Sequence, residues 1–585
     1  MAGAHKPKQP PTPVTKADVA RALRNVAAML EITGDNPFRI RAFENASAAI
    51  EDLSEDLHAM VESGELLEVR GIGKSIFADV KSMLETGTFD EYEKLRKKVP
   101  AGILEMLRVS GMGPKKVKAV YEKLDIKSVD ELEQAGRDGK LAVLPGFGEK
   151  TQLNILNAIA RYRKYAQRFL FSVAEDEANG ILEAVRRVKG VKHSLIGGSL
   201  RRHRETIGDI DILATTDDAD PVMDVFTSLP NVATVIAKGP TKSSVIMKSG
   251  IHVDLRVVKD DEFAAASHYF SGNKEHNTEV RARAKKLGYK LNEYGLFEGE
   301  HAVKIKDEEA LFAKLGMDFI PPELRENAGE IEAAEEHALP KLIEVGDIRG
   351  TFHCHSTYSD GRSTLREMAE AAKALGLEYL GIADHSQTAV YAGGMDKAKV
   401  KKQLREIEEL NQELAPFVLF KGVESDILLD GRLDYDDETL ASFDHVVASV
   451  HGQFTGTEAQ MTKRIVTAVS NPFTTMLGHP TGRVLLSRDG YPLNLTAVFE
   501  ACAAHKVFIE INAHPYRLDL DWRHLRTAKD MGVHFVINPD AHHTSEIGYF
   551  RYGVGIARKG WLTKGDVFNT KSTDGVRAAL RKPRS

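Results

Sequence analysis

Hydrophobic positions recur at three- and four-residue steps through the first 165 residues, in ADVARALRNVAAMLEI (17–32), PFRIRAFENASAAIEDL (37–53) and SIFADVKSMLETG (75–87). That spacing puts the apolar side chains on one face of an α-helix, so an all-helical region is expected behind a proline-rich, frayed tail at residues 1–13. From about residue 167 the period shortens. The β-branched runs HSLIGGSL, DIDILATT, ATVIA and IHVDLRVV, mixed with helical stretches, predict an α+β region. The acidic stretch EIEAAEEHALPKLIEVGD, around 330–347, follows Ile320-Pro321-Pro322 and reads as helix plus linker. After it, strand-like and helical segments alternate seven times, which means βα units in a barrel or doubly wound sheet.

A chain of 585 residues needs several cores rather than one. Its 42% hydrophobic and 28% charged residues are those of an ordinary globular protein, and no segment reaches the roughly 20 apolar residues that span a bilayer. With no hydrophobic stretch in MAGAHKPKQPPTPVTK, a cytosolic protein without a membrane partner is expected. Two cysteines, Cys354 and Cys502, make neither a disulfide framework nor a cysteine zinc site, so any metal must sit on histidine and carboxylate. The net charge of −6 conceals a local +7 over residues 91–170, from 17 Lys and Arg against 10 Asp and Glu. Twelve of the 21 histidines lie beyond residue 345, so the two ends of the chain do different chemistry.

Three segments repeat one pattern: VRGIGKS (69–75), VSGMGPKK (109–116) and LPGFGEKT (144–151). In each, two glycines (Gly71 and Gly73, Gly111 and Gly113, Gly146 and Gly148) open a helix with a lysine in or just after the turn: Lys74, Lys115 and Lys150. Free N–H groups at a helix start suit a phosphate. A lone Gly-x-Gly is usually only a turn, but three copies, two of them inside the basic region, point to a nucleic-acid backbone. None continues to the third glycine of a dinucleotide fingerprint. They resemble helix-hairpin-helix elements.

The stretch LIGGSLRRHRETIGDIDILATT (195–216) carries a first constellation. Asp209 and Asp211 share one face of the strand GDIDIL and Ile210 and Ile212 the other, while IHVDLRVV places Asp254 opposite Val253 and Leu255. Three carboxylates from two strands repel unless cations lie between them, and they are the oxygen ligands that a magnesium pair requires for in-line phosphoryl transfer. Gly197-Gly198-Ser199 offers a donor-rich turn, and Arg201 and Arg202 can clamp a triphosphate. Taken alone, Asp-x-Asp would be a solvated strand end; together with GGS, the arginine pair and a third Asp it is a site. GGSLRRHRETIGDIDIL resembles the palm signature of family X DNA polymerases, and HYFSGNKEHNTEVRARAKKLGYKLNEYGLF (268–297) is similar to that family's nucleotide-contacting segment. The resemblance implies Asp209, Asp211 and Asp254 as the catalytic metal-binding triad with Mg or Mn. It implies Gly198, Ser199 and Arg202 as triphosphate contacts, and Tyr269, Phe270, Gly272 and Asn277 as the incoming-nucleotide pocket, where an aromatic pair could exclude a ribose 2′-OH. It also implies a lyase lysine six residues beyond the second hairpin glycine. Counting from Gly73 reaches Asp79, which cannot form an imine; Lys74 and Lys81 fall on other helix faces, so lyase activity is expected to be weak or absent.

From residue 348 onward, histidine and acid recur at the ends of apolar runs: RGTFHCHSTYSDG, LEYLGIADHS, FVLFKGVES, FDHVVASVHG, TTMLGHPTG, VFIEINAH and VHFVINPDAHH. In a βα barrel these strand ends share one pocket. The set resembles the PHP (polymerase and histidinol phosphatase) superfamily, which implies His353, His355, Asp360, His385, Glu424, His451, His479, Asp540 and His542 as ligands of up to three metals, with Glu424 bridging. Mixed imidazole and carboxylate ligation suits Mn, Zn or Fe. Where the superfamily often has an Asp before the first His, this chain has Thr351-Phe352, which removes an outer carboxylate. His445, His505, His514, His534 and His543 fall off the motif and read as structural, while Arg483 and Arg517 stand where they could bind phosphate.

The expected organisation is multidomain: an N-terminal helical domain (1–85), helical fingers (86–165), an α+β palm (166–260), a thumb (261–330), a linker (331–347) and a distorted (βα)7 PHP barrel (348–585). The implied enzyme is a monomeric bacterial DNA polymerase that fills short gaps in base excision repair, taking gapped or primed DNA and dNTPs. Its barrel would add 3′–5′ exonuclease, with abasic-site cleavage or 3′-phosphate removal within reach of the same chemistry. Two alternatives stand beside it: a small-molecule phosphatase barrel tethered to the polymerase, and a binding module with an inactive palm, against which the intact Asp209, Asp211 and Asp254 speak.

Overall fold

The computed structural model describes residue 14, residues 16–53 and residues 57–580; the tail expected at 1–13 lies outside them. The chain divides into two compact units, one of residues before 168 with 229–232, the other of 168–228 with the rest of the chain.

Among its described residues the first unit is helical as far as Tyr165. One buried core runs through it from Val19 and Leu23 through Ile76 and Val120 to Ile155 and Ile159, so the N-terminal and fingers regions divided at residue 85 share a core. The three glycine segments share their first turn, although Gly73 and Gly113 are extended helix caps whereas Gly148 takes φ +62°. Gly71, Gly111 and Gly146 all take positive φ (101°, 84° and 86°), where a side chain would be strained. The apolar residue that follows closes a turn onto the residue three before it: Ile72 N to Val69 O at 3.0 Å, Met112 N to Val109 O at 2.9 Å, Phe147 N to Leu144 O at 3.1 Å. Ile72, Met112 and Phe147 are buried, anchoring each turn to the core.

In the second unit a five-stranded sheet runs in the order 194–196, 209–215, 252–258, 242–247, 232–238. Strands 209–215 and 252–258 are parallel, pairing Asp209 with His252 and Asp211 with Asp254. Their alternation is the expected one, with Ile210, Ile212, Val253 and Leu255 buried on one side. A three-stranded antiparallel sheet (289–303) and helices Phe263–Ser271, Lys274–Lys286 and Glu308–Lys314 follow. The stretch expected as a linker is packed instead. Ile331, Ala334 and Leu342 enter the core of Leu311, Phe312 and Leu324, together with Trp561 from near the C-terminus. Its helix carries the fully buried Glu330, hydrogen-bonded to His276 at 2.7 Å.

Beyond residue 348 parallel strands form two sheets, of three and five strands. Strands Val418–Phe420 and Gly422–Asp426 are one strand interrupted at Lys421, passing from the first sheet to the second, so the chain supplies seven barrel staves. A parallel bridge between Cys354 and Ala541 joins the first stave to the last. This is the distorted seven-stave barrel expected. Phe352, Tyr379, Phe420, Val447, Met476 and Val536 fill its core. Among the described residues no helix is long and apolar enough to cross a membrane.

Candidate functional sites

The first site lies where the strand 209–215 emerges beside the turn at Gly197. Gly198 has φ +61°, and a Cβ there would fall 2.3 Å from Asp211 Oδ2, so the turn presses its backbone directly against that carboxylate. Asp211 is pushed up to about 7 by burial first and by Asp209 and Asp254 second. A buried carboxylate pressed upward by burial and by two neighbouring acids is the environment a cation would relieve, so the residues fit divalent metal. Asp254 is steadied by Ser244 Oγ, which donates at 2.6 Å, and by Lys242 at 2.6 Å.

A cavity of about 560 Å³ opens beside these acids, lined by Asp209, Asp211 and every expected nucleotide contact: Gly198, Ser199, Arg202, Tyr269, Phe270, Gly272 and Asn277. The side-chain amide of Asn277 donates to Tyr269 O at 2.8 Å, and Arg256 lies over the Phe270 ring at 4.5 Å, fixing the aromatic pair. Asn273, Lys274 and Arg281 also line the cavity; the two cations were within reach of sequence reasoning, as charges at the start of the helix that follows HYFSGN and two turns along it. Arg201 departs from expectation. It turns away, donating to Glu308 and Ser267 O at 2.5 and 3.1 Å, so the cavity has Arg202 without its neighbour.

The second site gathers all nine expected residues at the C-terminal ends of the staves. Glu424, fully buried, is the hub. Its Oε1 lies 3.2 Å from His353 Nε2, 3.1 Å from His451 Nε2 and 3.0 Å from His479 Nε2, and its Oε2 2.9 Å from His385 Nδ1. Asp540 Oδ1 stands 3.3 Å from His355 Nε2, while Asp360 Oδ1 lies 3.5 Å from His385 Nε2 and 3.4 Å from His542 Nε2. Potential ligand atoms fall into three groups: His355, Asp360, His385 and His542; His353, His355 and Asp540; His385, Glu424 and His451. The buried nitrogens His353 Nε2, His355 Nε2 and His385 Nδ1 make no hydrogen bond within the protein, which fits a metal centre rather than a satisfied core. Burial resists charging of His385, yet Glu424 and Asp360 carry it up to about 10; His355, buried between His542 and His385, falls to about 3. Burial disfavours the charged form of Glu424, but His451, His353 and His385 hold it well below the usual carboxylate range.

The outer carboxylate missing at Thr351-Phe352 is replaced from another stave. Glu510, fully buried, accepts from His353 Nδ1 at 2.7 Å, from the His479 backbone N at 2.7 Å and from Asn538 at 2.9 Å. Its sequence signal was a lone acid in the apolar run VFIEIN. Asp384, also unforeseen, accepts from Ser356 N, Ser356 Oγ and Gln403 at 2.8, 2.6 and 2.5 Å, anchoring the loop that carries Asp360. Asp426 holds His451 Nδ1 at 2.5 Å. His445, read as structural, bonds the Phe352 carbonyl at 2.9 Å. Of the two candidate phosphate arginines, Arg517 borders the site, 3.4 Å from Asp540, whereas Arg483 is committed to Asp521 at 2.6 Å and to the carbonyls of Arg517 and Leu518.

The class these two sites define is a nucleotidyltransferase-type palm joined in one chain to a metal-dependent phosphoesterase barrel. Comparisons with known families agree along the length. Residues 14–89 match a helix-hairpin-helix domain, 103–161 a SAM-like helix-hairpin-helix tandem, 266–326 the DNA polymerase beta thumb and 351–514 the PHP domain. The DNA polymerase/3'-5' exonuclease PolX of Bacillus subtilis (strain 168) is 38% identical over 572 residues, covering 97% of this chain and 99% of that protein. A probable phosphatase of Thermoanaerobacter sp. (strain X514) is 27% identical over 230 residues, 37% of this chain and 89% of its own length. The chain belongs to the bacterial family X DNA polymerases that carry a C-terminal PHP domain.

Proposed function

We propose that this chain is a DNA polymerase and 3′–5′ exonuclease that works on primed and gapped DNA with dNTPs, as a monomer in the bacterial cytosol, filling short gaps in repair. The observation that carries the reading is the pairing of three carboxylates beside a nucleotide-sized cavity with a separate barrel site where histidines and acids gather around Glu424, in a chain that resembles PolX almost end to end.

In synthesis, Asp209, Asp211 and Asp254 would hold Mg or Mn, which supplies charge neutralisation for attack of a 3′-OH on a triphosphate. The chain's own part is positional. Ser199, Arg202 and the Gly198 turn bind the phosphates, and the Tyr269–Phe270 pair at the end of helix Phe263–Ser271 faces the sugar, where its bulk excludes a 2′-OH. The turns at Gly71 to Lys74, Gly111 to Lys115 and Gly146 to Lys150 present backbone N–H groups and lysines to DNA phosphates without reading sequence. In the barrel, the nine ligands would hold up to three Mn, Zn or Fe ions, which supply an activated hydroxide for phosphodiester cleavage. Glu510 and Asp426 fix the rings of His353 and His451, and Arg517 faces the phosphate. Abasic-site cleavage and 3′-phosphate removal are within the reach of the same chemistry.

The partial relatives named as probable phosphatases favour a second reading, in which the barrel takes small phosphate esters. One experiment separates them. On a gapped substrate whose primer ends in phosphorothioates, Asp254→Asn should lose dNTP incorporation and keep 3′ resection of an unprotected primer, and Glu424→Gln should do the reverse. DNA with a recessed 3′ end should inhibit hydrolysis of a small phosphate ester by the barrel. Loss of both activities in either folded variant refutes the two-site reading; absence of inhibition favours the phosphatase.

A further inference from the structure

The barrel half reaches under the nucleotide cavity with one side chain. Lys559, the last residue of helix Phe550–Lys559, is 1% exposed. Its Nζ donates to Glu326 Oε1 at 2.5 Å, to the Arg202 carbonyl at 2.9 Å and to the Glu323 carbonyl at 3.3 Å, and it lies 4.6 Å from the centre of the Trp522 ring. The helix is shaped for this approach. A Cβ at Gly555 would come within 2.3 Å of His203 Nδ1, and Arg558 bonds Glu323 at 2.6 Å.

Glu326 is the shared partner. Besides Lys559 it accepts from Arg202 Nε at 3.2 Å, Arg204 Nη1 at 3.1 Å and Asn273 Nδ2 at 3.3 Å, with its side chain 6% exposed. Arg202 and Asn273 both line the nucleotide cavity. The arrangement is therefore three cations on one buried carboxylate, with Lys559 alone coming from the barrel. Without Lys559 the carboxylate draws only on the two arginines, and Arg202, which has to present positive charge to a triphosphate, is pulled toward Glu326 while its own backbone loses a tether. Burial lowers Lys559 to about 8 against the pull of Glu326, with Arg204 and Arg202 adding to the lowering, which leaves it charged at neutral pH.

We propose that Lys559 is a positioning residue for nucleotide binding: the barrel half supplies the cation that balances Glu326 and leaves Arg202 available to the triphosphate in the palm. This rests on the reading of Arg202 as a triphosphate contact in DNA synthesis. The test uses the full chain on primed DNA with a phosphorothioate end. Lys559→Met should raise KM for dNTP about tenfold while changing kcat less than about twofold, the split expected when substrate binding is weakened and the chemical step is kept. Resection of an unprotected 3′ end should stay at the wild-type rate. Lys559→Arg should keep most of the nucleotide affinity. Adding Glu326→Gln to Lys559→Met removes the unbalanced acid and should restore KM to within about threefold of wild type, a recovery that a purely structural lysine would not give. An unchanged KM in folded Lys559→Met, or a double variant no better than the single one, overturns the proposal. So does a Lys559→Arg protein that is folded yet as impaired as Lys559→Met. A wild-type chain that incorporates no dNTP would instead remove the reading of DNA synthesis on which the proposal stands.

Discussion

Gly198→Ala tests the palm geometry with one methyl group. The residue has φ +61°, where an L-residue costs roughly 1–2 kcal/mol, and the added Cβ would lie 2.3 Å from Asp211 Oδ2 and 3.3 Å from its Cγ. To reach ordinary contact the carboxylate must retreat by about 1 Å, because the turn is itself fixed by Gly197 N donating to Asp211 O at 2.7 Å. A displacement of that size in a carboxylate proposed to hold metal is expected to slow incorporation about 100-fold, equivalent to about 2.7 kcal/mol of barrier. Single-nucleotide gap filling under saturating dNTP measures it, with thermal melting to establish that the protein folds. Gly180→Ala is the control: it lies in helix Phe171–Arg186 with nothing within 4 Å of the new Cβ, so synthesis should be unchanged and stability slightly raised. Resection by the barrel should survive in both variants. A folded Gly198→Ala enzyme that fills gaps at more than half the wild-type rate would refute the contact between turn and carboxylate.

Two further outcomes are expected. His203 is lowered to about 4 from 6.5 by burial, with Glu323 opposing and Lys559, Arg558 and Arg551 adding to the lowering. The unfolded chain thus binds a proton more readily; the stability from a neutral His203 is present above pH 6.5 and is lost as the pH falls toward 4, up to about 3 kcal/mol. Urea unfolding at pH 7 and at pH 4.5 should show His203→Asn losing less stability on acidification than wild type; equal losses would remove this assignment. Borohydride reduction with incised abasic DNA should trap little covalent adduct, since Asp79 occupies the expected lysine position and is partly buried, facing Glu91 and Asp90. A strong adduct that disappears on Lys74→Ala or Lys81→Ala would show that a neighbouring lysine has taken the role.

Much of both sites could be read from the chain because their residues lie on short periodic elements. Asp209 and Asp211 are two apart on one strand, and Asp254 alternates with Val253 and Leu255, so period and polarity give each its face, while the neighbouring of the two strands was implied by the family resemblance and is seen in their parallel pairing. The barrel ligands stand at the ends of apolar runs, where a stave has to end at the pocket. What was hidden depended on partners remote in sequence. Arg201 looked equivalent to Arg202 until Glu308, 107 residues away, claimed it. Glu510 supports His353 across 157 residues, and its one local signal, an acid inside the apolar run VFIEIN, does not say which residue it meets. The stretch at 331–347 read as a linker because it is acidic and follows Ile320-Pro321-Pro322, yet Leu342 and Ile331 are buried in a core completed by Trp561. Local periodicity cannot supply such a partner.

That packed stretch changes what the joint between palm, thumb and barrel is. The ion pairs across it share a sign: Arg523 and Arg483 of the barrel face Glu205, Arg551 faces Glu175, Arg558 faces Glu323 and Lys559 faces Glu326. They are not equal in weight. Arg523 and Arg551 keep 44% of their side chains exposed, where water screens a pair to between nothing and about 1 kcal/mol. Lys559 and Glu326 keep 0% and 6%, so removing one partner alone strands a buried charge, which typically costs about 3–5 kcal/mol. The joint is therefore most sensitive to the loss of a single charge at the point that also touches Arg202. A barrel tethered only by a flexible linker would place no such contact under the nucleotide cavity, and a cut within 331–347 would disturb the thumb core and this ion pair together rather than release two independent domains.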